Sequence, residues 1–292
     1  MRTPNHDARA RRTNANVHRP LRGAASAIAA LIATTIACGA EAQPATPGAR
    51  ATAVRIAGGT FSPFFDEPNA PVTRVPPFRI DRHAVTNADY ARFTVAHPEW
   101  AHGAPPEIFA DIRYLQHWGT RSAQAVIDAP TLANQPVTFV SWFAATAYCE
   151  SQGGRLPSEA EWELVGQASE DKLDASGDAE HAREILSWYE RARQGELSAV
   201  AQRRPNAWGV YDMHGLVWEW ISDFNASMTA GGRRGITDQA IGLFCGSAAA
   251  NARTPTDYAA FMRYAFRSSL RGSYVMHSLG FRCAYDDEET PQ

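Results

Sequence analysis

Apolar residues along this chain come in short bursts punctuated by glycine, proline and capping residues. That pattern predicts a mixed, loop-rich α/β domain rather than long helices or a regular sheet. Val54-Arg-Ile-Ala-Gly-Gly-Thr-Phe61 reads as a strand entering a glycine turn, and Phe78-Arg-Ile-Asp81 as a second strand. Thr86 is placed to cap a helix whose Tyr90 and Phe93 share one face. Residues 95–130 carry only loop-like punctuation and scattered aromatics. Pro136-Val-Thr-Phe-Val-Ser-Trp142 opens a second helix, with Ser141 as cap, Phe143, Ala147 and Tyr148 inward, and Gly153-Gly154 as stop. In Leu156-Pro-Ser-Glu-Ala-Glu-Trp-Glu163, Ser158 and Glu161 form the capping box of a third helix. Residues 169–204 are charged and helical in pattern, with Ile185, Leu186, Trp188 and Tyr189 as the apolar group. Residues 236–285 alternate glycine turns with aromatic-rich segments, and no internal repeat is visible.

One stretch fits neither period. Asn206-Ala-Trp-Gly-Val-Tyr-Asp-Met-His-Gly-Leu-Val-Trp-Glu-Trp220 sets four aromatics, two glycines and two carboxylates in fifteen residues. It reads as a folded irregular loop closed by a short strand. Carboxylates among buried rings are costly unless paired or bound to a cation, which makes Asp212 and Glu219 candidates for a structural ion site.

Composition adds a leader. Six arginines up to Arg22, an apolar run from Ala24 to Ala37 and Ala40-Glu41-Ala42 have the form of a secretory signal over residues 1–42. Its apolar run is shorter than the roughly 20 residues of a membrane span. Thr35-Ile-Ala-Cys38 is a weak lipobox, so a lipid anchor at Cys38 is the other reading. The expected location is therefore periplasmic or secreted. Taking six Arg and two acids off the 28 basic and 31 acidic residues leaves 22 and 29, a formal charge of −7. That excess argues against nucleic acid or an anionic membrane face as partner. After a flexible lead-in at 43–53, the domain is expected over 54–285, with a tail at 286–292. Its cysteines are Cys149, Cys245 and Cys283, enough for one disulfide and an odd thiol.

Several motifs then occur in a familiar order. They are Ile56-Ala-Gly-Gly-Thr-Phe61, Val85-Thr-Asn-Ala-Asp-Tyr-Ala-Arg-Phe93, Pro136 to Trp142, Arg155 to Glu163, Asn206 to Trp220, and Leu279-Gly-Phe-Arg-Cys283. Together they resemble the sulfatase-modifying-factor, or formylglycine-generating-enzyme-like, family. The resemblance implies a single α+β domain with little regular secondary structure, the formylglycine-generating-enzyme fold related to C-type lectins. It also implies a structural Ca2+ held by the Asp212 side chain, the carbonyls of Gly215 and Val217, and Glu219. Oxygen donors of this kind suit a hard cation; the alternative is that both carboxylates simply accept protein hydrogen bonds.

Two departures from the family bear on activity. Relatives that generate formylglycine carry a cysteine pair that holds Cu(I) and supports oxygen activation. By the resemblance Ala260 stands where one of these would fall, and Ala250 is the counterpart of the other. The second departure is the charged insert at 169–204. With Phe261-Met-Arg-Tyr-Ala-Phe-Arg-Ser-Ser269, it is similar to a subgroup encoded beside copper nitrite reductases in denitrifying bacteria. Cys245 is the candidate catalytic residue, with His214, His277, Met262 or Met276 completing a soft set suited to copper. Its bland reading is a buried small hydrophobe or half of a disulfide. By the resemblance Cys149 and Cys283 occupy disulfide positions whose usual partners are missing, which leaves the pairing among the three cysteines open. Arg263, Arg267 and Trp218 are candidates for holding a polypeptide client, and Arg263, Arg267 and Arg282 equally for pairing with Glu159, Glu161 or Glu219.

Three functions stay in play. The first is an exported maturation or accessory factor acting on a periplasmic protein client. The second is an oxygen-dependent, formylglycine-generating oxidoreductase that uses Cys245. The third is a lectin-like binding module without chemistry.

Overall fold

The computed structural model describes residues 53–61, 73–191, 197–225 and 255–287. Four three-residue strands open it: β1 (Val54–Ile56), β2 (Gly59–Phe61), β3 (Thr73–Val75) and β4 (Phe78–Ile80). β4 is the middle of a three-stranded antiparallel sheet, between β1 and β7 (Ala284–Asp286) near the other end of the chain. Phe78 and Ile80 point into the core while Arg79 between them is partly exposed, the alternation of a half-buried strand. β2 and β3 pair as a separate antiparallel ribbon.

The helices follow their caps. α1 (Asn87–Ala96) starts on a full capping box between Thr86 and Asp89, and α4 (Trp142–Ser151) on Ser141, whose hydroxyl accepts from the Ala144 amide. α5 (Glu159–Gly166) has the predicted Ser158–Glu161 box. Between α1 and α4 the expected loop contains two single turns of 3₁₀ helix, then α2 (Ala123–Ile127) and α3 (Pro130–Ala133). Such four- and five-residue helices are too short to show a period in sequence. Phe143 is only part-buried; the inward face of α4 is Ala144, Ala145, Tyr148 and Cys149. In the charged insert the helix is α6 (Ala179–Arg191), with Ala182, Ile185, Trp188 and Tyr189 buried. α7 (Pro255–Ser268) lies where sequence suggested only turns and aromatics, and it packs on α6.

Asn87 ties α1 to its surroundings. It is fully buried, its amide donates to the carbonyls of Leu132, Gln135 and Pro136, and its oxygen accepts from Trp118 Nε1 and His117 Nε2. Tyr90 stacks on Tyr148 with ring centres 5.7 Å apart and meets Phe281 and Trp118 edge-on. Such ring pairs add about 0.5–1.5 kcal/mol each beyond burial. Cys149 on α4 and Cys283 just before β7 form a disulfide, so the chain's own pairing joins two residues 134 apart. No helix among the described residues is long and apolar enough to cross a membrane.

Candidate functional site

The irregular stretch 206–220 is held by its first residue. The Asn206 side-chain oxygen accepts from the amides of Trp208 and Val210, and its amide donates to Val165 on α5. The loop then bends through Asp212 at φ 54° and Gly215 at φ 98°. Gly215 suits a left-handed position that side chains disfavour. The loop ends in β5 (Trp218–Glu219), paired in parallel with β6 (Leu279–Gly280). Gly280 is needed there, since a Cβ would lie 2.7 Å from the Val137 carbonyl.

This geometry buries Glu219 completely against Arg282. The guanidinium donates to both carboxylate oxygens, at 2.8 and 2.7 Å, and to the carbonyls of Asp81 and Tyr211. Trp162 Nε1 donates to the same carboxylate at 2.8 Å. A buried pair survives only when its geometry is this complete.

Asp212 accepts the Ala201 amide at 2.6 Å, and burial pushes its carboxyl above the usual range, with Glu219 adding to the rise. Asp212, Gly215, Val217 and Glu219 are thus on one bend. Both carboxylates accept protein hydrogen bonds, Asp212 from Ala201 and Glu219 from Arg282 and Trp162; oxygen donors of this kind are also those a hard cation takes. Glu219 would have to share an oxygen with Arg282. Two carboxylates and two carbonyls make up this set; among the described residues no group of three or more His, Cys, Asp or Glu side chains is placed to hold a metal.

The client-binding candidates also converge, on a partner that sequence reasoning missed. Arg263 on α7 forms a fork on Glu163, from Nε at 2.9 Å and Nη2 at 2.7 Å, and donates to Tyr189 on α6. Arg267, one turn on, donates to Glu163 at 2.7 Å and Glu159 at 3.3 Å, and lies 4.6 Å over the Trp162 ring. Burial alone would raise the Glu163 carboxyl, but the two arginines outweigh it and hold it at about 2. Trp218 sits between Phe266 and Tyr189, stacked at 4.3 and 4.8 Å. The signal was the spacing of four: Glu159 and Glu163 share a face of α5 as Arg263 and Arg267 share one of α7. Glu161, the other candidate partner, pairs with Arg155 instead.

A cavity of about 10 Å³ remains inside this junction, lined by Trp162, His214, Trp218, Glu219, Arg263 and Arg267 among others. It has room for about one water molecule. Burial and the nearby Arg263 push the His214 imidazole down to about 3. Ala260, on α7, brings no sulfur to the site. Cys245, Ala250, Cys38 and the leader lie outside the described residues.

The chain frames its short strands with a loop tied by Asn206, a buried Glu219–Arg282 pair and the Cys149–Cys283 disulfide. It belongs to the sulfatase-modifying-factor family: residues 40–287 match the family described as sulfatase-modifying factor enzyme 1-like domain. It is 33% identical over 319 residues to the formylglycine-generating enzyme of Streptomyces coelicolor, covering 89% of this chain and 98% of that one. Its identity to the hercynine oxygenase of Mycolicibacterium smegmatis is 31% over 207 residues, 60% of this chain and 46% of that one. The structure of CarF aligns with 81% of this chain and 98% of its own at a TM-score of 0.43 and 15% identity.

Proposed function

We propose that this chain is an exported member of the family that binds a polypeptide client in the periplasm and assists its maturation, without the copper-binding cysteine pair of its oxidising relatives. The observation that carries the reading is α7. Where the resemblance expects a cysteine the helix has Ala260, and Arg263 and Arg267 tie it to Glu163. A deletion strain tests it. Loss of one exported enzyme's activity, restored equally by the wild-type chain and by Cys245→Ser, is expected. Restoration by the wild type alone would favour an oxidoreductase acting through Cys245, and no affected exported protein would favour a lectin-like binding module.

The proposal includes a structural calcium ion held by Asp212, the carbonyls of Gly215 and Val217, and Glu219. Such an ion would stiffen the bend without taking part in chemistry. Chelation should lower the melting temperature, and Asp212→Ala should abolish that sensitivity. An unchanged melting temperature on chelation would remove the ion from the account.

A further inference from the structure

We infer that the exposed apolar surface formed by Ile108, Phe109, Ile112 and Tyr274 docks an extended segment of the polypeptide client, one that sets a large apolar side chain beside a carboxylate. The inference rests on the client-binding reading and gives that client a place on the chain. Among the described residues seven large apolar side chains are exposed, and four of them fall on two segments that touch. Ile112 is 83% exposed, Ile108 74%, Phe109 42% and Tyr274 38%. Single exposed apolar residues are ordinary, whereas a grouped patch on the order of a few hundred Å² marks an interaction surface.

The two segments are held together and against α4. The Asp111 amide donates to the Ser273 carbonyl at 2.9 Å, and the Arg113 guanidinium lies 5.9 Å over the Tyr274 ring. Phe109 meets Phe143 edge-on, with ring centres 5.3 Å apart. The Trp142 amide donates to the Gly272 carbonyl, and a Cβ on Gly272 would lie 2.9 Å from the Phe143 ring. Phe143, expected to face inward, thus borders this surface. Beneath it Leu115 and Phe139 both have left-handed backbone, at φ 52° and 51°. The Leu115 amide donates to the Phe139 carbonyl, and the Phe139 amide to that of Met276. Bulky residues keep such backbone only where their surroundings over-determine it, and these places cluster at functional sites. The apolar side chains are therefore displayed on a fixed base.

Size and charge select the occupant. A stable dimer needs roughly 800 Å² from each partner, more than four side chains present, whereas a short extended segment needs less. Arg271 closes a turn with Tyr274, is exposed, and has no acceptor among the described residues. Arg113 is already shared with Asp111. Glu107 adjoins Ile108, so the cationic edge is the one at Tyr274. A free guanidinium beside an apolar face suits a carboxylate, which it can grip with two parallel hydrogen bonds.

The test pans a random peptide library displayed on phage against the full chain and its Ile112→Asp variant side by side. Peptides enriched only on the wild type should carry Phe, Tyr, Leu or Ile close to Asp or Glu. One of them, made with a fluorophore, should bind at least about tenfold more weakly to Ile112→Asp and to Arg271→Glu. Exchanging its carboxylate residue for Lys should restore binding to Arg271→Glu. Should Ile112→Asp not fold, Ile108→Asp takes its place. No enrichment, enrichment indifferent to Ile112→Asp, or binding indifferent to the charge at position 271 would overturn the surface. So would self-association of the chain that Ile112→Asp abolishes, which would give the patch to a second copy. Failure here beside a positive deletion-strain result strikes this surface alone; peptide binding with no exported enzyme affected strikes the maturation reading alone.

Discussion

Glu163 and Asp81 are buried carboxylates with opposite fates. Glu163 has two guanidiniums and is held at about 2, below its ordinary 4.5. Among the described residues, Asp81 has only the Cys283 amide and the Tyr285 hydroxyl as direct donors, at 2.9 and 3.0 Å, and burial lifts it from 3.8 to about 7. A depressed carboxyl contributes stability above its unfolded value and loses it as pH falls; a raised one contributes below its unfolded value and loses it as pH rises. Glu163 therefore weakens the fold between pH 4.5 and about 2, and Asp81 between 3.8 and about 7. Asp81→Asn should flatten the decline in stability toward neutral pH, measured by denaturant melts across that range. Glu163→Gln leaves Arg263 and Arg267 buried without their shared anion, and should cost about 3–5 kcal/mol. An exposed pair would cost well under 1 kcal/mol by the same melt.

Elements with strong end signals were legible in the sequence: Thr86, Ser141 and Ser158 each cap the helix expected of them. α7 was not legible. Its buried Ala259 and part-buried Met262 and Phe266 do follow a helical spacing, but arginines and tyrosines between them blur the face. Leu115 at φ 52° and Phe139 at φ 51° were equally hidden, since left-handed backbone at bulky residues is set by tertiary contacts. At the candidate site the Arg282–Glu219 pairing is one the sequence allows, whereas Glu163 and Tyr189 gain their roles only where α5, α6 and α7 meet. The disulfide was one of several pairings the cysteines allowed. It closes a long loop, so Cys149→Ala with Cys283→Ala should lower stability by about 2–5 kcal/mol. A melting temperature unmoved by that double change would show the α4–β7 link to be redundant.

At the scale of the whole molecule, family membership is one matter and the reaction another. The scaffold carries the 206–220 bend, the buried Glu219–Arg282 pair and the C-terminal strand, and α7 joins it through an arginine–glutamate junction. A scaffold shared with oxidising enzymes does not by itself confer their reaction. The most direct measurement is to incubate the purified chain with Cu(I), oxygen, reductant and a cysteine-bearing peptide, and to follow the peptide by mass spectrometry beside the Streptomyces coelicolor enzyme. The account predicts an unchanged cysteine under conditions where that enzyme yields aldehyde. Aldehyde formed by this chain, and lost in Cys245→Ser, would contradict it.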